Sequence, residues 1–134
     1  MAGRVAFDTT FLIDFQRERS RGETDGPAHA FLASDADLEL LLPATALGEF
    51  GEGFDDAEDP VLRTVRELHV LLPVDEGTAI VYARITRALR GAGKLIGTND
   101  LWIAATSIRN DVPLVTANVT EFRRVEGLEI LPYR

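Results

Sequence analysis

The chain has 134 residues, with 22 acidic against 14 basic side chains, a formal net charge of −8, two histidines and no cysteine. That length fits a single domain over residues 1–134, and the composition excludes disulfides, thiolate zinc sites, thiol nucleophiles and a His-rich metal site. The acidic balance argues against a scaffold that binds nucleic acid through many phosphate neutralisations, and no apolar run is long enough to span a membrane, so a cytoplasmic, membrane-free protein is expected.

Arg4 to Phe7 reads as a first short strand, followed by a helix over Phe11 to Arg19 with Phe11, Leu12 and Phe15 on its apolar stripe. Pro27 suits a first helical position, and a second helix is expected over Ala28 to Ser34. Leu38 to Leu42 is a strand stopped by Pro43, and Thr45 to Phe54 a helix weakened by three glycines. Pro60 opens a helix with Val61, Leu62, Val65 and Leu68 on one face, and Val70 to Leu72 is a third strand. Asp75 to Arg90 is the longest amphipathic stretch, ended by Gly91 and Gly93. Thr98 or Asn99 is positioned to cap a helix running to about Ile108. Val112 to Val115 and Glu129 to Leu131 complete the strands, with a short turn at Thr120 to Phe122.

This alternation predicts an α/β fold, a three-layer α/β/α sandwich around a mostly parallel, roughly five-stranded sheet. Its strands read as continuous apolar runs, as they should when helices cover both faces. Ligands bind such sheets outside the carboxyl ends of the strands. Asp8 and Asn118 fall at such ends, Asp100 in the first turn of a helix and Glu49 within one. Hard cations such as Mg²⁺ and Mn²⁺ favour carboxylate oxygens, and clustered carboxylates need a cation or a proton to offset their repulsion. On the residues alone, Asp8, Glu49 and Asp100 can build such a site. Each also has a plainer role, Asp8 as a helix cap, Glu49 as a solvated helix residue, and Asp100 as a favourable charge at a helix N-terminus.

Asp8-Thr9-Thr10-Phe11-Leu12-Ile13-Asp14, Thr45 to Phe50 around Glu49, Gly97 to Ala105 around Asp100, and Leu114 to Asn118 followed by Glu121 to Leu128 occur in that order along nearly the whole chain. Together they resemble the signatures of PIN-domain ribonucleases, in particular VapC-type toxins of toxin–antitoxin pairs. That resemblance implies a metal-dependent endoribonuclease with Asp8, Asp100 and Glu49 as metal ligands and Asn118 as a fourth catalytic position, with Mg²⁺ or Mn²⁺ as cofactor. Asn118 carries no charge where many relatives have aspartate. Thr116 and Thr9 are candidates to orient a ligand or water. The implied substrate is cellular RNA such as tRNA or rRNA. The implied partners are a cognate antitoxin and a second copy, giving a homodimer or a toxin–antitoxin hetero-oligomer whose interface the early helices can supply. Arg17, Arg19, Arg21, Lys94, Arg123 and Arg124 are candidates to guide the RNA backbone.

Among the remaining residues, Trp102 reads as core packing beside the site, Asp14 as a peripheral acid and Glu52 as a weaker site candidate. His29 and His69 read as loop or surface residues. The alternative functions are a non-catalytic PIN-like protein-binding module, suggested by Asn118, and a metal-dependent DNA nuclease or phosphohydrolase.

Overall fold

The computed structural model describes residues 3–134, so the first two residues of the expected domain lie outside the described residues. The elements follow the order β1 (Arg4–Phe7), α1 (Thr9–Ser20), α2 (Pro27–Ala33), β2 (Glu39–Pro43), α3 (Ala44–Gly51), α4 (Pro60–Leu68), β3 (Val70–Leu72), α5 (Glu76–Gly91), α6 (Thr98–Arg109), β4 (Leu114–Thr116), α7 (Val119–Phe122) and β5 (Ile130–Pro132). The five strands form one sheet in the order β3-β2-β1-β4-β5, with every pair parallel. All carboxyl ends therefore share one edge. The strand order reverses between β1 and β4, which is where ligand crevices open in such sheets.

Strand side chains alternate between the two faces, so each strand serves both cores. Val5, Phe7 and Val115 pack with Phe11 and Ala28 beneath α1 and α2, joined by Phe15, Phe31, Leu40 and Tyr133. Ala6 and Leu114 pack on the opposite side with Phe50, Leu62, Leu89, Ile103, Ala104 and Phe122 from α3 to α7. The three-layer α/β/α arrangement read from the alternation is thus the observed one. No helix among the described residues is long and apolar enough to cross a membrane.

Differences from the sequence expectations concern boundaries. The strand expected over Val112 to Val115 is paired only over Leu114–Thr116, because Val112 N donates to Ser107 O and closes the end of α6 instead. The helix expected to reach Phe54 stops at Gly51, beyond which Glu52 forms its C-cap. Gly97, not Thr98 or Asn99, occupies the N-cap of α6. The early helices bury Phe11 and Leu12 and leave Ile13 as their exposed large apolar residue. Larger exposed apolar side chains lie at Leu68, Val70 and Leu71, on α4 and the sheet-edge strand β3, and at Ile80 on α5.

α1, which begins at the sheet edge, is fixed at its far end by a buried glutamate. Gly26 has no side chain with which to cap α2, and Glu18 takes over that task from α1. Its Oε2 accepts from Ala28 N at 3.0 Å, and its Oε1 accepts from His29 N at 2.9 Å and lies 2.8 Å from His29 Nδ1. Burial opposes the Glu18 charge, yet these donors together hold its carboxyl below the usual range. A Cβ at Gly26 would collide with the Glu18 side chain as it stands, so the close approach favours glycine there. Glu18→Ala strands two N–H donors at the start of α2, and a loss of about 2 kcal/mol in urea-unfolding stability at neutral pH is expected. A change within the range of an ordinary surface substitution would contradict this role for Glu18.

Candidate active site

Asp8 is the first residue beyond β1 and the N-cap of α1. Parallel pairing places Phe7 opposite Val115, which sets Asp8 against Thr116 at the end of β4. The Asp8 carboxylate uses both oxygens. Oδ1 accepts from Phe11 N at 3.0 Å, and Oδ2 accepts a short hydrogen bond from Thr116 Oγ1. The capping role and the site role left open by the sequence are therefore compatible in one side chain. Asp8 is only 3% exposed. Burial raises its pKa above the usual value, Thr116 and Phe11 oppose that rise, and the charges of Asp14 and Glu49 add to it.

Thr116 is fully buried and links two elements. Its hydroxyl donates to Asp8 and accepts from Asn118 N at 2.9 Å, so it fixes the Asp8 rotamer and the chain entering α7 together. Thr9 orients Glu49 and not Asp8, donating from Oγ1 to Glu49 Oε1 at 2.6 Å. The other Glu49 oxygen accepts from Asn99 Nδ2 at 3.1 Å. Asn99, expected as a helix cap, instead joins α6 to α3.

Asp100 lies in the first turn of α6, half-buried. Its pKa is pushed up to about 6, first by burial and then by the charges of Glu49, Asp8 and Glu121. Carboxylates from the β1–α1 junction, α3, α6 and α7 thus act on one another at the carboxyl edge of the sheet. Among the described residues no three His, Asp or Glu side chains stand close enough to enclose an ion by themselves. The donor set nevertheless suits a hard cation, being all oxygen, partly desolvated and mutually repelling.

Glu121 is the acid that the sequence reading passed over. Asn118, expected as the fourth site position, donates from Nδ2 to Glu121 Oε2 at 3.3 Å. The position is uncharged, but it holds a carboxylate whose field reaches Asp100, so the cluster has four acids instead of three. The available signal was spacing, since Glu121 stands three residues after Asn118 across the single turn of α7.

The more peripheral candidates separate from the cluster. Asp14 accepts from Tyr133 Oη at 2.6 Å and from Arg134 Nε at 2.8 Å, bracing α1 against the chain after β5. Burial, with Asp14 beside it, raises the Tyr133 hydroxyl pKa. Glu52 is exposed at the C-cap of α3. Trp102 stacks on Tyr82 with ring centroids 3.8 Å apart, a packing contact between α6 and α5. His69 is half-buried, edge-on to Phe7, with its pKa lowered chiefly by burial.

The PIN domain family model matches residues 5–128. This chain belongs to the PIN-domain family. Within it the chain is of the VapC type. Ribonuclease VapC1 of Rickettsia felis is 42% identical to this PIN domain over 128 residues, covering 95% of the chain and 94% of the relative. Ribonuclease VapC1 of Methanocaldococcus jannaschii is 32% identical over 130 residues, covering 95% and 86%. The crystal structure of VapBC2 from Rickettsia felis, bound to a DNA fragment from its promoter, shares the fold with a TM-score of 0.80 at 20% identity, covering 96% of this chain and 98% of that one.

Because Asp100 holds its proton more tightly folded than unfolded, its own contribution to the stability of the metal-free protein falls as pH rises from about 4 to about 6 and does not recover above. In EDTA at pH 7.5, Asp100→Asn is expected to raise unfolding stability by about 1–2 kcal/mol, with little effect at pH 4. A destabilised Asn variant at pH 7.5 would show that the acidic cluster is not under electrostatic strain.

Proposed function

We propose that this PIN domain is a metal-dependent endoribonuclease toxin that hydrolyses phosphodiesters of cellular RNA with Mg²⁺ or Mn²⁺. The carrying observation is Asp100 at the edge where such sheets bind ligands, its pKa pushed up to about 6 first by burial and then by the charges of Glu49, Asp8 and Glu121. A buried carboxylate group of this charge repels an anionic phosphodiester unless a cation comes between them.

In this reading Asp8, Asp100 and Glu49 would hold the cation, directly or through water. A metal bound there would supply Lewis-acid stabilisation of charge developing on phosphoryl oxygens and a lower pKa for an attacking water. Thr116 keeps Asp8 Oδ2 in one orientation. Thr9 and Asn99 keep Glu49 as a fixed acceptor for water hydrogens. Asn118 holds Glu121, whose carboxylate lies on the α7 side of the cluster. The chain's residues thus bind, orient and set charge.

VapC-type resemblance supports two kinds of partner. An antitoxin presenting a basic side chain would satisfy the same carboxylates that a cation satisfies, in keeping with the net charge of −8. A second copy would cover exposed apolar residues such as Ile80.

Purified protein is expected to cleave a cellular RNA pool in Mn²⁺ and to stop on addition of EDTA. Asp8→Asn should lower the rate by at least ~100-fold, since a ligand to the metal is removed. Unchanged cleavage in that variant would refute the mechanism. Single-stranded DNA and a small phosphate ester, assayed under the same metal conditions, separate this reading from a DNA nuclease or phosphohydrolase.

A further inference from the structure

Beside the acidic cluster the surface changes sign. A hollow of about 520 Å³ lies between the second half of α5, the loop after it and the residues just beyond α7. Its floor includes buried Ile85, Leu89 and Val125, and its rim carries Arg84, Lys94 and Arg124 against one carboxylate, Glu126. On a chain of net charge −8, three cations converge there. Among the described residues Arg84 and Lys94 have neither an ion-pair nor a side-chain hydrogen-bond partner. Arg124 donates only to Leu95 O, at 3.2 Å. By contrast Arg63 and Arg66 are paired with Glu58, Arg109 with Asp75 and Arg134 with Asp14.

Two segments connect this hollow to the acidic cluster. The loop bearing Lys94 runs directly into Gly97 and the first turn of α6, where Asp100 lies. Arg124 follows Glu121 by three residues, and its bond to Leu95 O ties the two segments together. A polyanion at the acidic site meets repulsion there, and these cations offer compensation along two shared segments. The apolar floor beneath a basic rim suits a strand that places phosphates on the rim and a sugar or base face on the floor.

We propose that this hollow holds backbone phosphates of a single-stranded RNA segment whose neighbouring phosphodiester occupies the acidic site, with Arg84, Lys94 and Arg124 as the phosphate contacts. This rests on the ribonuclease reading above. The contacts position the strand without reading its sequence.

The test uses the full chain, a labelled single-stranded oligouridylate across a salt series, and cleavage of total cellular RNA in Mn²⁺. Arg84→Gln with Lys94→Gln changes two exposed side chains that hold no internal contact. The pair should weaken oligouridylate binding about tenfold and reduce the slope of log affinity against log salt by about 1.4. It should also raise KM for cleavage while kcat stays within about twofold. Arg84→Lys should retain the slope, and Arg87→Gln, exposed on the same helix outside the hollow, should change nothing. Unchanged slope and KM in the double variant, with cleavage intact, would overturn the hollow alone. Loss of binding to an oligoglutamate peptide with RNA binding unchanged would also overturn it, assigning the hollow to an acidic protein segment. If the unsubstituted protein neither binds nor cleaves RNA, the ribonuclease reading fails and the hollow falls with it.

Discussion

The bond between Asp8 and Thr116 is the contact on which the site depends. It crosses from β1 to β4 at the point where strand order reverses, and it joins the start of α1 to the entry of α7. One carboxylate oxygen ends a helix and the other ends a strand pair, so Asp8 cannot turn without releasing a cap, a strand-end contact or both. Its burial is what makes this rigidity costly. In a carboxyl so enclosed, desolvation and neighbouring acids disfavour the charged form more than the two donors favour it.

The rest of the cluster inherits that tension. Glu49 is not free to swing away, because Thr9 and Asn99 tether it between α1 and α6, and Asp100 faces it from the first turn of α6. Asn118 then holds Glu121 within range instead of diluting the charge. Such an arrangement is poorly stabilised without a counter-charge and selective for a compact one. Metal, or a basic side chain from a partner, would relieve the same strain, which gives a physical reason for the proposed activity and its proposed neutralisation to converge on one pocket. The proposed role of the basic rim extends this logic outward, since a phosphate chain would need cations along its path as well as at the scissile bond.

Much of the fold was legible in the sequence because buried parallel strands and amphipathic helices leave distinct periodicities. Val5 to Phe7 and Leu40 to Leu42 could be read as strands since both faces are covered, and Asp75 to Arg90 as a helix since its apolar residues recur on one side. Asp8, Glu49 and Asp100 stood out because each interrupts or borders an apolar segment. Glu121 did not, because the turn that brings it inward is a single helical turn with almost no periodicity of its own. The tethers were also hidden. Asn99 looked like a cap by local rules, and only the packing of α6 on α3 redirects it to Glu49. Glu18 stands between two arginines in the sequence, and only the fold of α2 onto α1 buries it.

The most direct measurement is calorimetric titration of Mn²⁺ into the full chain in buffers of different ionisation enthalpy, which counts protons released on binding. With the Asp100 pKa near 6, binding at pH 6 should release at least about half a proton, and binding at pH 8 close to none. Absence of binding, or binding at pH 6 with no proton release, would contradict the claim that a strained carboxylate cluster awaits a cation.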